Sequence, residues 1–272
     1  MKSRNSIIVR SGDLVYIQFK IFSDINFLRH CFSTRLGGVS KGFVGSMNLS
    51  FHRDDERDNV IKNYEILCSA AGISTDDLVL SKQTHTDFVR TVGFKDRGTG
   101  FSKPEFEDVD GLVTSEKNVA LVTQYADCTP LIFCDPKNRV IASSHAGWRG
   151  TVKKIGLKTV EKMVGEFGCR RENIKAAIGP CIHSCCYEVD DPVFEEFKKA
   201  GFDTDNIFKT LNNQKYMLDL TRANQEVLLN CGIKPENLEV SDLCTCCNSS
   251  ELFSHRAIGG KRGNLAAIIE MI

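Results

Sequence analysis

Alternating apolar and polar side chains at the start of the chain predict a β-hairpin. Residues 6–10 and 14–22 alternate around the turn signal Ser11-Gly12-Asp13, and residues 27–34 resemble a third strand. Between residues 55 and 71, apolar side chains recur at helical spacing behind an acidic first turn, and Gly72 follows as a stop signal. The pattern therefore predicts three strands followed by a helix.

Short apolar runs rich in valine, isoleucine and leucine dominate the middle of the chain. Asp, Gly or Pro interrupts them, as is typical of a buried sheet, and they cover residues 78–92, 119–125, 131–134 and 140–144. Further helices are predicted at 151–167, 191–200 and 221–231, and further strands at 174–178, 252–256 and 265–269. Because strands cluster without regular alternation with helices, we expect a mixed α+β sandwich instead of a doubly wound parallel sheet.

Length and composition limit the possible classes of protein. The 272 residues lie within the range of single domains, so we expect one domain covering residues 1–272. The 35 basic and 35 acidic residues leave no net charge, which argues against nucleic acid or an anionic membrane as a partner. The sequence shows neither a run of apolar residues that could span a bilayer nor the apolar centre of a signal peptide, so we expect a cytoplasmic protein. We further expect a monomer or weak oligomer, although no sequence feature encodes the oligomeric state legibly.

Three residues of metal-binding types lie where apolar runs meet tight polar loops: His85, Cys128 and His145. Two imidazoles and one thiolate suit Zn²⁺, and three protein ligands leave a fourth position open, as in catalytic zinc sites. His145 ends an apolar run and precedes Gly147-Trp148-Arg149-Gly150, and Cys128 precedes Pro130, which favours the end of a strand. The three residues together predict a catalytic metal centre.

Short motifs rich in Gly, Ser, Asp, His and Cys occur in order along nearly the whole chain: Phe32-Ser33-Thr34-Arg35-Leu36-Gly37-Gly38-Val39-Ser40, Met47-Asn48-Leu49-Ser50, Gln83-Thr84-His85, Asp108-Val109-Asp110-Gly111-Leu112-Val113-Thr114, Ala126-Asp127-Cys128, His145-Ala146-Gly147-Trp148-Arg149-Gly150, Ile178-Gly179-Pro180-Cys181-Ile182, Cys244-Thr245-Cys246-Cys247 and Phe253-Ser254-His255-Arg256. With these motifs, the sequence resembles the purine nucleoside phosphorylase family once catalogued as multicopper polyphenol oxidases or laccase-like proteins. Near the end, Gly259-Gly260-Lys261-Arg262-Gly263-Asn264 differs from the family's usual Thr-Gly-Arg element, so the arginine that occupies this family position is left open.

The resemblance implies an α-β-β-α layered sandwich of mixed sheets and a cytosolic enzyme that cleaves purine nucleosides with phosphate as co-substrate. It further implies adenosine deamination and phosphorolysis of 5′-methylthioadenosine. The family's metal ligands map onto His85, Cys128 and His145, with zinc preferred and copper the alternative. The implied partners are purine nucleosides and phosphate.

Phosphorolysis passes through a transition state with oxocarbenium character, so the site must hold phosphate and neutralise charge on the departing base. Arg149 is the leading catalytic candidate for phosphate, with Arg35 and Arg256 as further arginines beside Gly- or Ser-containing motifs. We expect Asn48 to bind substrate together with Arg35 and Arg256. Candidates for the general acid are Asp127, His255 and Cys181.

Four alternatives stay open at this point. Cys128 or Cys181 could be the nucleophile of a cysteine hydrolase, and a His₂Cys set also suits copper in a polyphenol oxidase, although the six histidines include no His-x-His pairs. A zinc-stabilised adaptor would need a fourth protein ligand. A separate structural zinc could bind cysteines that form no two clean Cys-x-x-Cys knuckles, namely Cys181, Cys185, Cys186, Cys244, Cys246 and Cys247.

Overall fold

The computed structural model describes residues 1–212 and 214–272 of the chain, which form strands and helices in a mixed order. The strands are β1 (Ser6–Ser11), β2 (Leu14–Phe19), β3 (Leu28–Ser33), β4 (Leu78–Val79), β5 (Val89–Thr91), β6 (Gly111–Thr114), β7 (Ala120–Tyr125), β8 (Thr129–Asp135), β9 (Val140–Ala146), β10 (Lys175–Ile178), β11 (Glu188–Asp190), β12 (Phe208–Thr210), β13 (Lys215–Leu218), β14 (Leu238–Val240) and β15 (Leu265–Met271). The α-helices are α1 (Arg57–Ala71), α2 (Trp148–Val152), α3 (Ile155–Phe167), α4 (Asp191–Lys199), α5 (Thr204–Ile207), α6 (Leu220–Asn230) and α7 (His255–Ile258).

Two six-stranded sheets pack face to face and form the centre of the fold. The first has the order β1-β2-β3-β15-β7-β4 and the second the order β14-β10-β8-β9-β6-β5. Parallel pairs join β4 to β7, β5 to β6 and β10 to β14, whereas the other neighbours within these two sheets run antiparallel. Both sheets are therefore mixed, as the sequence predicts.

Three apolar layers hold the sheets and helices together. Ile17, Phe32 and Leu121 of the first sheet meet Leu112 and Ile132 of the second in a buried core between the sheets. A second cluster buries α1 against the outer face of the first sheet, and a third buries α3 and α6 against the outer face of the second. This arrangement confirms the predicted α-β-β-α sandwich.

Most predicted elements of the sandwich are present in the structure. The opening hairpin pairs β1 with β2, and α1 ends at Gly72, whose φ of +72° is the left-handed conformation typical of a helix stop. The predicted helix at 151–167 is instead two helices, because Lys154 adopts a φ of +58° between α2 and α3. None of the described helices is long and apolar enough to cross a bilayer.

The predicted strand at 252–256 is wrong, because this segment ends in the short helix α7. The Ser254 hydroxyl accepts a hydrogen bond from the backbone N–H of Ala257 and caps the helix at its first turn. The sequence analysis also did not assign the small sheet β11-β13-β12, whose strands are three or four residues long. Strands this short give little alternation from which to predict them.

Candidate metal centre and its flanking cavities

The structure brings the three predicted metal-binding residues together at one end of the sandwich. Cys128 lies immediately before β8, and His145 lies in β9, where it pairs with Pro130 of β8. His85 comes from the loop between β4 and β5 and has a φ of +66°, which is unusual for a residue other than glycine. One ligand atom from each residue lies within 4.8 Å of the other two, and Cys128 Sγ is 3.7 Å from His85 Nε2.

Asp110 organises two of these three residues from beneath. Its buried carboxylate accepts hydrogen bonds from the backbone N–H groups of Thr84, His85 and Thr86 at 3.1, 3.1 and 2.8 Å. It also accepts from the Thr86 hydroxyl at 2.9 Å and from His145 Nδ1 at 2.8 Å. Since Nδ1 of His145 is engaged, Nε2 is the atom left for Cys128 or a metal, which is the usual arrangement for a metal-binding histidine.

Electrostatics favour a thiolate at Cys128. Burial raises the pKa of the thiol, but the charge and hydrogen bond of His145, followed by those of His85, lower it to about 6. Burial lowers the pKa of His145, but the Cys128 thiolate and the Asp110 hydrogen bond raise it to about 10. A thiolate is the form of cysteine that binds a metal or attacks as a nucleophile.

The donor geometry fits a tetrahedral zinc ion. Zinc bonds of about 2.05 Å to nitrogen and about 2.3 Å to sulfur place the two donors about 3.5 Å apart in a tetrahedron. The distance of 3.7 Å between Cys128 Sγ and His85 Nε2 is close to this value. Gly147 leaves the required room, because a Cβ there would lie 2.7 Å from His85 Cδ2 and 3.0 Å from Cys128 Sγ.

Two cavities meet at the candidate metal centre. The Gln124 cavity, of about 330 Å³, is lined by all three candidate ligands together with His52, Arg53, Gln124, Arg262 and Asn264. The Trp148 cavity, of about 390 Å³, is lined by His85 and Cys128 together with Asp127, Trp148, Arg149, Tyr187, His255, Arg256 and Arg262. Both volumes are in the range of small-molecule sites. A ligand in either cavity would lie beside the metal-binding residues.

Arg262 lines both cavities and is a buried cation with spare hydrogen-bonding capacity. Its side chain is 8% exposed, and within the described residues its Nε has no hydrogen-bond partner. Asn264 Oδ1 accepts from Arg262 Nη1 and, at 3.2 Å, from Arg53 Nε, which holds the two guanidinium groups near each other. Burial, followed by repulsion from Arg53, lowers the pKa of Arg262 to about 10. An anion between the two arginines would relieve that repulsion.

Four predicted site residues line the Trp148 cavity. Arg149 is exposed and stacks over the Trp148 ring at 4.3 Å, and His255 is exposed at the start of α7. Arg256 uses its guanidinium to donate to the carbonyl oxygens of Cys186 and Glu188. The Asp127 carboxylate accepts from Thr245 Oγ1 and from the Arg256 backbone N–H, both at 2.6 Å, so it positions the chain rather than acting as a free acid.

The structure does not bring Arg35, Asn48 and Cys181 into either cavity. Arg35 stacks over Phe253 and donates to the carbonyl oxygens of Gly45 and Ser249. Asn48 is buried, and its Oδ1 accepts from the backbone N–H of Asn264, so it supports the cavity wall from behind. The Cys181 thiol is buried beside Thr221, and burial raises its pKa to about 12, which makes it a poor nucleophile or acid at neutral pH.

Sequence reasoning assigned no role to several residues that build the site. Asp110 lies within a recognised motif, but its function depends on the pairing of β6 with β9, which sequence spacing does not reveal. Arg53, Gln124 and Tyr187 line the cavities but lie outside the motifs named in the sequence analysis. The sequence left open which arginine occupies the family position near Gly263, and the structure shows that Arg262 of this segment lines both cavities.

Several proteins named as nucleoside-processing enzymes are similar in sequence to this chain. A purine nucleoside phosphorylase, YlmD, from Bacillus subtilis is 36% identical over 242 residues, which cover 88% of this chain and 87% of the relative. An adenosine deaminase, RL5, from an unknown prokaryotic organism is 35% identical over 236 residues, or 85% of this chain and 90% of the relative. The crystal structure of the hypothetical protein YfiH from Bacillus licheniformis superimposes with a TM-score of 0.92 at 32% identity, covering 99% of this chain and 100% of that one.

The family model described as multi-copper polyphenol oxidoreductase laccase matches residues 29–272. This range contains the three candidate ligands and both cavities. It also contains every described strand except the hairpin β1–β2 and the first residue of β3. The resemblance stated from the motifs is thereby confirmed. The chain belongs to the multi-copper polyphenol oxidoreductase laccase family, and several relatives that are 33–37% identical to it are named purine nucleoside phosphorylases.

Proposed function

We propose that the chain is a zinc-dependent purine nucleoside phosphorylase that uses residues 1–272 as one catalytic domain. Its substrates would be adenosine, inosine, guanosine or 5′-methylthioadenosine with phosphate, and its products the free base and a ribose 1-phosphate. Relatives named purine nucleoside phosphorylase and adenosine deaminase support an enzyme that processes nucleosides. The cytoplasmic location and the monomeric or weakly oligomeric state stay predictions.

The observation that carries this proposal is Arg262, a buried arginine shared by the two cavities beside the candidate ligands. Phosphate would bind in the Gln124 cavity between Arg262 and Arg53, whose guanidinium groups are held near each other by Asn264 Oδ1. The planar forks of arginine suit bidentate phosphate binding. Arg149, the predicted phosphate ligand, is more exposed and already stacks on Trp148, so we assign it to the rim of the Trp148 cavity.

The purine would occupy the Trp148 cavity, where Trp148 and Tyr187 offer aromatic surface. The ribose would then lie between the cavities, next to His85 and Cys128, which line both. His85, Cys128 and His145 would hold the zinc ion, and bound zinc would supply a Lewis acid beside the reacting atoms. Asp110 keeps the His145 ring in the orientation that this requires.

Arginines surround the atoms whose charge changes during the reaction. Phosphorolysis breaks the bond between the purine nitrogen and C1′ of ribose while a phosphate oxygen bonds to C1′, so positive charge develops on the sugar and negative charge on the base. Phosphate held by Arg262 would face the positive charge on the sugar. Arg149 and Arg256 line the cavity proposed for the purine, where the negative charge develops. Burial, followed by the charge of Arg262, lowers the pKa of His255. The lowered pKa favours the neutral imidazole and works against the predicted role of His255 as general acid.

Product analysis with and without phosphate tests this proposal directly. Protein purified without added metal is analysed for zinc and copper and then incubated with adenosine. Adenine and ribose 1-phosphate that form only in the presence of phosphate would support phosphorolysis. Cys128→Ala is expected to lose the metal of the candidate centre formed with His85 and His145, and with it turnover, while the circular dichroism spectrum is unchanged. Full turnover by a folded Cys128→Ala variant would overturn the metal assignment.

Adenosine deamination is a second candidate, favoured by the relative named adenosine deaminase and by the open face of the metal centre toward both cavities. In deamination, water replaces the amino group at C6 of adenine and ammonia leaves. Inosine formed without phosphate would identify this reaction. Phosphorolysis and deamination can share the site, because the same cavities would hold adenosine in both.

The low pKa of Cys128 also favours the cysteine hydrolase alternative, since His145 and Asp110 complete a Cys-His-Asp arrangement. One imidazole would be enough to activate a nucleophile, whereas two imidazoles converge on Cys128 here. Chelator-treated protein that retains turnover and forms a covalent adduct on Cys128 would support the hydrolase. For copper, the remaining histidines are dispersed: His30 is buried in the core and His52 pairs with Glu105.

A further inference from the structure

A second group of potential metal ligands lies outside both cavities. The Sγ atoms of Cys185, Cys186, Cys244 and Cys247 all lie within 4.8 Å of one another. Cys185 and Cys247 are exposed, Cys186 is half-buried and Cys244 is buried. The cluster, which we call the tetrathiol cluster, thus lies at the surface with one member anchored in the fold.

Two loops that are distant in sequence build the tetrathiol cluster. Cys185 and Cys186 lie in a turn in which the Cys186 backbone N–H donates to the His183 carbonyl oxygen. Cys244 and Cys247 have the Cys-x-x-Cys spacing of zinc knuckles and follow β14. A β-bridge between Cys181 and Cys244 fixes the two loops side by side. Backbone geometry therefore sets the positions of the four sulfur atoms.

The distances between the sulfur atoms match a tetrahedral zinc site. Four Zn–S bonds of about 2.3 Å at tetrahedral angles place the sulfur atoms about 3.8 Å apart. Cys247 Sγ is 3.4 Å from both Cys185 Sγ and Cys186 Sγ. A disulfide would instead require sulfur atoms about 2.05 Å apart, and one disulfide would leave two thiols unused.

The surroundings of Cys244 also suit a thiolate ligand. The His183 backbone N–H donates to Cys244 Sγ at 3.4 Å, which is the kind of second contact that orients a metal-binding sulfur. Two further cysteines of the same segments lie outside this group: Cys181 is buried against Thr221, and Cys246 Sγ is not among the four sulfur atoms that lie within 4.8 Å of one another. The geometry thus selects four ligands from six cysteines.

We propose that Cys185, Cys186, Cys244 and Cys247 bind a structural zinc ion as four thiolates. Binding would release the thiol protons and join the loop 181–188 to the loop 244–256 without any change of oxidation state. The same loops carry Tyr187, His255 and Arg256 of the Trp148 cavity. Arg256 donates to the Cys186 carbonyl oxygen, and Thr245 between the two knuckle cysteines donates to Asp127, so this zinc would fix the cavity wall.

Metal stoichiometry of the full chain tests this proposal. With both sites filled, the wild-type protein is expected to hold two zinc ions, Cys247→Ser one and Cys246→Ser two. Cys246→Ser is a matched control, because it changes a neighbouring, half-buried thiol that lies outside the tetrathiol cluster. An unchanged zinc content in folded Cys247→Ser protein would overturn the proposal, as would a mass two daltons lower in the freshly purified wild type, which indicates a disulfide.

X-ray absorption at the zinc edge covers the case in which Cys247→Ser does not fold. The His85→Ala variant lacks one ligand of the candidate metal centre, so its remaining zinc reports on the tetrathiol cluster. Four sulfur neighbours at about 2.3 Å are expected. Nitrogen or oxygen neighbours, or protein that binds no zinc, would contradict the proposal. Because the readout is coordination and not turnover, its result is independent of the proposed function.

Discussion

Replacement of Asp110 by asparagine should damage the candidate metal centre without removing any of its candidate ligands. Asparagine keeps the shape of the side chain but offers one acceptor oxygen and one NH₂ donor. In the structure, one carboxylate oxygen accepts from His85 N and His145 Nδ1, and the other accepts from the Thr84 and Thr86 amides and the Thr86 hydroxyl. Either orientation of the amide therefore places a donor against backbone N–H groups.

The size of the effect on stability and on zinc affinity follows from comparing the two orientations of the asparagine amide. An NH₂ group facing Thr84 and Thr86 would leave two buried N–H groups unpaired, at a cost of about 2–6 kcal/mol. An NH₂ group facing His85 and His145 would leave one N–H unpaired, at about 1–3 kcal/mol, because the imidazole can move its proton to Nε2. The second orientation is cheaper for folding but puts a proton on the nitrogen that must bind the metal. We expect zinc affinity to fall by about 10- to 100-fold, or about 1.4–2.7 kcal/mol.

Competition with a chromophoric zinc chelator measures the affinity, and urea unfolding of the metal-free protein measures the stability. Asp108→Asn is the matched control, since Asp108 is exposed and accepts from Thr84 Oγ1 of the same loop. We expect that variant to stay within about 0.5 kcal/mol of wild type in both assays. A folded Asp110→Asn protein with zinc affinity within twofold of wild type would refute the reasoning.

Three further predictions address other parts of the molecule. Gly147→Ala should lower the metal content measured by elemental analysis, because its methyl group would lie 2.7 Å from an imidazole carbon of His85. Gly165→Ala should not, because no atom of the described residues lies within 4 Å of the added methyl group. Arg262→Lys should raise the KM for phosphate by about tenfold, whereas Arg149→Lys should change it less; the reverse order in steady-state kinetics would restore Arg149 as the phosphate ligand. Burial lowers the pKa of His30 to about 4, so this side chain is neutral in the folded protein at neutral pH. Its contribution to the free energy of unfolding is therefore fully present above pH 6.5 and is lost as the pH falls toward 4. Urea unfolding should show a loss of about 3 kcal/mol over this range that His30→Gln lacks, and equal pH slopes would contradict it.

Periodic patterns predicted the elements of the sandwich that are long enough to repeat. The hairpin β1–β2, helix α1 and strands β7 to β10 carry enough alternating or helical positions to be recognised. The break at Lys154 and the helix at His255–Ile258 depend on one left-handed residue and one serine cap. Signals of one residue are weak beside a run of apolar positions, so the sequence suggested a continuous helix and a strand there.

The candidate site was predicted through residue types and motifs, and less well through spatial relations. His85, Cys128 and His145 converge as the motifs imply. Arg35 and Asn48 also belong to motifs, yet their side chains are used within the wall of the fold. A motif identifies which segment is special, but the direction of a side chain depends on strand register and on long-range pairing. The same limit explains why no role was given to the carboxylate beneath the metal centre.

The hairpin β8–β9 supplies two of the three candidate donors, and a separate loop supplies the third. His145 lies within the ladder of backbone hydrogen bonds between β8 and β9, and Cys128 directly precedes it, whereas His85 lies in a loop that is held by the Asp110 carboxylate. Assembly of the candidate metal centre would then be sequential. The metal would first bind the two donors of the hairpin, Cys128 and His145, and His85 would then add the third ligand. Exchange of the ion with the medium would accordingly be gated by the His85 loop, which gives metal release a rate separate from global unfolding.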